Sequence, residues 1–122
     1  MGSNKVVYFM DQLHHLILKR KWFDIANKYE PKTIVKNLAF IDSRSLAYKM
    51  LFNEERDDSL RDYAITLLEE IRQTCPKEWS EDWKNDIFLG DACYLTMNYE
   101  QRYAAYKRAY ENAKAPPPSL LI

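Results

Sequence analysis

Apolar residues recur along this chain at helical spacing, and polar or proline-bearing stretches punctuate them. Val6, Met10, Leu13 and Ile17 step by four, three and four residues, with Phe9 and Leu16 widening the stripe. A stripe of that width is what an amphipathic helix lays against a core. The basic turn Lys19-Arg20-Lys21 interrupts it, and Trp22, Ile25, Ala26 and Tyr29 then predict a short helix ending near Pro31. Proline suits a first helical turn, where its missing N–H has no partner to lose, so Pro31 can also open the next helix. Ile34, Leu38 and Ile41 continue the period, and Asp42 or Ser43 offers an N-cap. Leu46, Ala47, Met50 and Leu51 carry a further stripe to Asn53. Residues 32–53 are compatible with one helix or two.

The polar run Asn53-Glu54-Glu55-Arg56-Asp57-Asp58 predicts a loop, with Asp58 or Ser59 capping the next helix and Ser59 with Asp62 forming a variant of the capping box. Leu60, Tyr63, Ala64, Leu67, Leu68 and Ile71 give the cleanest amphipathic pattern in the chain. It must stop before Pro76, because a proline pushes its predecessor out of the helical region. Ser80 is the expected cap of a helix through Trp83, Ile87, Ala92, Tyr94 and Leu95, with Glu81 and Asp82 against the positive end of its dipole. After a turn at Met97-Asn98, a last helix places Tyr99, Tyr103, Tyr106, Tyr110 and Ala113 on one stripe, with Ala105 and Ala109 on an adjacent face. Pro116, Pro117 and Pro118 end it. The fold class is therefore all-α, with about six to seven helices.

Composition narrows this further. Gly90 is the one glycine beyond Gly2, and sheet proteins need glycine-rich turns, so helices are favoured again. Net charge is zero, which removes a global electrostatic case for nucleic acid. Locally, residues 1–40 carry +4, residues 41–90 carry −5 and the remainder +1. Cys75 and Cys93 fit neither a disulfide framework nor metal-ligand spacing. No apolar run approaches the about 18 residues of a membrane span. Lys5 and Asp11 interrupt any apolar leader, and a cytoplasmic setting without membrane contact is expected.

Helix pairs ended by proline recur at Pro31, Pro76 and around Pro117, about 40–45 residues apart. Leu89-Gly90, followed by Tyr106, Ala109 and the proline run, resembles the tetratricopeptide repeat family, whose signature is an aromatic, Leu-Gly, Tyr, Ala, an aromatic and Pro. Asp86, Cys93 and Arg102 depart from that pattern at the leading aromatic, the Tyr and the first Ala. The spacing alone also fits armadillo or HEAT-type pairs, with longer repeats. The resemblance covers residues 80–117 best. It implies one domain over 1–117, built of stacked antiparallel hairpins (approximately 5–30, 32–76 and 80–115) in a right-handed superhelix. Residues 118–122 would be a tail or the start of a further helix, and a route to homo-oligomers.

The resemblance also implies a non-catalytic scaffold whose first helices line a concave groove for a peptide or partner helix. Carried over by motif, Lys84, Asp91 and Tyr94 fall on the inner face of the last pair, and Arg44 and Tyr48 on the preceding one. Two other readings stay open: a small neutralising protein that uses the acidic middle against a folded enzyme, and an RNA-associated protein that uses the basic, aromatic region 19–36. In that region Lys19, Arg20, Lys21, Lys28, Lys32 and Lys36 interleave with Trp22 and Tyr29. Catalysis, cofactors and metals are not expected. Adjacent His14 and His15 diverge by about 100° on a helix and cannot share an ion. Glu54, Glu55, Asp57 and Asp58 lack the alternation and central glycine of a calcium loop. Cys75 sits at a helix C-terminus, where the dipole disfavours a thiolate.

Overall fold

The computed structural model describes residues 2–113, with side chains from Tyr8 onward. The Val6 side chain of the first stripe, the stop at Pro116–Pro118 and the tail 118–122 lie outside this description. Eight helices occur among the described residues: α1 (Gly2–Leu18), α2 (Trp22–Lys28), α3 (Pro31–Asn37), α4 (Phe40–Leu51), α5 (Asp58–Thr74), α6 (Pro76–Glu81), α7 (Lys84–Leu95) and α8 (Tyr99–Asn112). Residues 32–53 hold two helices, because Leu38 and Ala39 are both extended, with ψ of 151° and 158°. The helix beyond the expected number is α6. Pro76 ends α5 and then serves as the first residue of a new turn.

Several expected caps move. α4 starts at Phe40 without a side-chain cap, so Asp42 and Ser43 lie inside it, and Ser43 is buried. Asp57, rather than Asp58 or Ser59, takes the α5 end: its carboxylate accepts from the Leu60 N–H at 3.0 Å and from the Ser59 hydroxyl. Ser80 lies within α6, where its hydroxyl donates to the Lys77 carbonyl at 3.1 Å. The carboxylate beside α7 is Asp82, which accepts from the Lys84 N–H at 3.0 Å.

The chain divides into two compact units between Glu70 and Ile71, inside α5. In the first unit, α1 and α2 pack through an edge-to-face contact of Phe9 with Tyr29 and through Lys28 donating to Gln12. The Tyr63 hydroxyl donates to the Tyr29 carbonyl at 2.7 Å, tying α5 to the end of α2. Leu13, Trp22, Ile25, Ile34, Leu46, Met50, Leu60, Leu67 and Leu68 are enclosed. Ile41, expected in the stripe, faces solvent, because α4 turns Leu46, Ala47, Met50 and Leu51 inward instead. The loop after α4 closes on buried Asn53, whose amide donates to the Met50 carbonyl at 2.8 Å and accepts from the Asp57 N–H at 2.9 Å.

The second unit centres on the α7–α8 hairpin. Asp86 meets Arg108, Gly90 meets Tyr106 and Asp91 meets Tyr106; later residues of α7 pair with earlier residues of α8, so the helices run antiparallel. Trp79, Leu89, Ala92, Cys93, Ala105 and Ala109 are buried in this unit. Of the tyrosine stripe expected to pack, Tyr99, Tyr103 and Tyr110 are exposed. The packing side of α8 is its alanine face, because small side chains let two helix backbones approach.

Candidate protein-binding face

α7 is apolar around most of its circumference. Leu89, Gly90, Ala92 and Cys93 point inward, which leaves Tyr94 and Leu95 in water. α8 sets Ala105 and Ala109 against its neighbours and sends Tyr106 and Arg108 across to α7. The Tyr106 ring fills the notch that Gly90 leaves, and its hydroxyl donates to the Asp91 carboxylate. Burial first, and then that acceptor, push the Tyr106 hydroxyl well above the usual phenol range.

What remains outside is a cluster of rings about one cation. The Arg102 guanidinium lies 5.2 Å from the Tyr94 ring centroid and 5.4 Å from that of Tyr99, within cation–π range of both. Tyr103, one residue on, is 71% exposed, and Tyr99 and Tyr110 are 55% and 47% exposed on the same side of α8. Spacings of four and seven residues bring all three tyrosines onto one helix face. Rings and guanidinium held this way supply flat apolar area at small entropic loss, which is what protein recognition surfaces are made of.

The residues expected to line a groove fall into two sets. Lys84, Asp91 and Tyr94 are exposed on α7 in the second unit. Arg44 and Tyr48 belong to the first unit and are half-buried, with Arg44 lying 5.4 Å from the Phe40 ring centroid. Tyr94 therefore joins the aromatic cluster. Arg102, Tyr99 and Tyr103 are added by the structure. Their signal in the sequence is an arginine set three residues after one tyrosine and beside another on a helix whose small residues face elsewhere.

The basic region 19–36 is organised inward. Trp22 is 2% exposed, and its indole N–H donates to Glu54 Oε2 at 3.1 Å, while Arg20 pairs with the same carboxylate. Tyr29 is buried beneath Lys28. Neither ring is presented for base stacking. In the acidic loop, Glu54 and Asp57 are engaged as ion pair and cap, and among the described residues no three metal-ligating side chains converge. Burial, and then Glu78, push the Cys75 thiol up, away from nucleophilic character. No helix of the described residues is long and apolar enough to cross a membrane. Compared with known proteins, the chain matches no protein-family model, no curated protein and no solved structure.

Proposed function

We propose that this chain is a non-catalytic protein-binding module of the tetratricopeptide-like kind, which engages a peptide or partner helix through the aromatic face of its α7–α8 hairpin. The observation that carries the reading is the exposed grouping of Tyr94 and Tyr99 about Arg102, with Tyr103 exposed on the same face of α8 as Tyr99. A surface that only needed solubility would place charge there. The close approach of Gly90 to Tyr106, with Ala109 buried beyond, supports the hairpin geometry implied by the resemblance. The Arg102 guanidinium stays half-exposed and is available to pair with a carboxylate on the partner.

Selection of displayed peptides on the full chain tests this. Enriched peptides are expected to lose at least about tenfold in affinity on Tyr103→Ser or Arg102→Gln, each removing one anchor, while circular dichroism stays unchanged. Peptides indifferent to both substitutions would overturn the reading. So would tight binding of oligonucleotides with a steep salt slope that is weakened by substitution of Lys19.

A further inference from the structure

The tyrosines of α8 recur at four, three and four residues: Tyr99, Tyr103, Tyr106 and Tyr110. That is the seam spacing of a coiled coil. Tyr106 is taken up by α7, but Tyr99, Tyr103 and Tyr110 stay exposed, so most of the seam lies open. Resting on the reading that this face binds a partner helix, we propose that the partner is α8 of a second copy of the chain, packed antiparallel about a twofold axis.

Charge selects that occupant. Glu100 and Lys107 directly follow Tyr99 and Tyr106 and flank one side of the seam, whereas Arg102 directly precedes Tyr103 and flanks the other. Glu100 and Lys107 are exposed and join no ion pair among the described residues. An antiparallel pair brings each flank against the same flank of its partner. The register that sets Tyr99 opposite Tyr110 of the second copy then sets Glu100 opposite Lys107, and the twofold axis repeats both contacts. Parallel pairing crosses the flanks instead and sets Arg102 against Lys107, cation on cation. The pattern thus suits one helix in one orientation: its own, reversed.

Size sets the strength. At about 200 Å² a ring, the exposed fractions of Tyr99, Tyr103 and Tyr110 amount to roughly 350 Å² per copy. Doubled by symmetry and widened by Glu100, Arg102 and Lys107, this reaches the low end of specific interfaces, about 1,000 Å² in all. The dimer is therefore weak and concentration-dependent, and a peptide that binds Tyr103 competes with it.

Sedimentation equilibrium on the full chain, from about 10 to 500 μM, reads the association. A monomer–dimer equilibrium is expected, and Tyr103→Ser should lower its association constant about tenfold or more. Glu100→Lys and Lys107→Glu each place like charges across both flank contacts, so each alone should weaken association about fivefold or more. Mixed in equal amounts, these two variants should associate with each other about as strongly as the unaltered chain does with itself, because the facing charges are opposite again. Circular dichroism should be the same for all of them, since the substituted side chains are exposed.

A chain that stays monomeric over that range would overturn the inference. So would association indifferent to Tyr103→Ser, or a mixture of the charge variants that associates no better than its components. If the chain is monomeric while selected foreign peptides still depend on Tyr103, self-pairing fails and the protein-binding reading stands. If neither self-association nor foreign peptides depend on Tyr103, both fail.

Discussion

Tyr106 crowds the space in which a side chain at Gly90 would begin: a Cβ built there would clash with the Cδ1–Cε1 edge of the phenol ring. Gly90 is helical and has no positive φ, so the requirement is steric and not conformational. Helix propensity alone would make Gly90→Ala favourable by about 1 kcal/mol. The ring is anchored through its hydroxyl to Asp91, so it cannot swing away freely, and overpacking of this kind costs about 1–3 kcal/mol. With the ring held in place the steric cost outweighs the propensity gain, and Gly90→Ala is expected to lower stability by up to about 2 kcal/mol in urea unfolding. In a Tyr106→Ala background the sign should reverse, because only propensity is left. A Gly90→Ala that stabilises the unaltered chain would show that the notch is not needed.

A second contact of the hairpin is polar. Asp86 is 1% exposed; its Oδ1 accepts a hydrogen bond from Arg108 Nε at 3.1 Å and lies 3.1 Å from a terminal nitrogen of the same guanidinium. Taking away one partner of a buried pair strands the other charge, which costs more than the pair contributes. Because Arg108 keeps part of its surface in water, Arg108→Met is expected to destabilise by about 3 kcal/mol, at the low end of that range. The double variant Asp86→Leu with Arg108→Met should recover most of the loss. A double-mutant cycle on unfolding midpoints checks it, and additive losses would sink it.

The turn that joins α7 to α8 places Met97 at φ 61°, a region where most residues with a Cβ are strained. The Asn98 N–H donates to the Cys93 carbonyl at 2.8 Å and the Met97 N–H to the Tyr94 carbonyl at 3.2 Å, the paired bonds of a left-handed helix end that glycine usually occupies. Met97 is largely exposed, so little packing is lost with its side chain. Met97→Gly is therefore expected to raise stability by about 0.5–1 kcal/mol, strain relief exceeding the entropy that glycine brings to the unfolded chain. The thermal midpoint reads this directly, and a fall on substitution would count against it.

The period of apolar residues is enough to read an all-α chain, because helices write their buried face into spacing. Pro31 as a helix opener and the turn at Met97-Asn98 are legible from backbone chemistry alone. α6 is not, since Pro76 reads first as a stop and Ser80 looks like a cap; only the structure shows the six-residue helix Pro76–Glu81 that contains both. The α8 face misleads for a different reason. Periodicity counts tyrosine as apolar, yet its hydroxyl lets it stand in water, so the alanines and not the tyrosines mark the packing side. Trp22 in its basic surroundings holds the opposite lesson, because its partner Glu54 is remote in sequence and no local pattern could pair them.

That carboxylate also sets a pH dependence. Glu54 is held below its ordinary value of 4.5 by its own backbone N–H, then by the Trp22 indole and Arg20, with slight burial opposing. A carboxyl whose folded value is depressed contributes stability that is fully present above its unfolded value and is lost as pH falls through the folded one. Glu54→Ala should therefore unfold more easily than the unaltered chain near neutral pH, and the gap should close as pH drops below 4.5. Asp57 is depressed in the same direction, chiefly by the Ser59 hydroxyl and the Leu60 N–H, but it remains in both proteins and cancels from the comparison. The exposed Arg20 part is screened by salt and the hydrogen bond from Trp22 much less so, so the gap should shrink only in part at high ionic strength. Urea titrations followed by tryptophan emission across the acid range measure it. A gap that persists unchanged below the folded value would mean that Glu54 acts through packing and not through its charge.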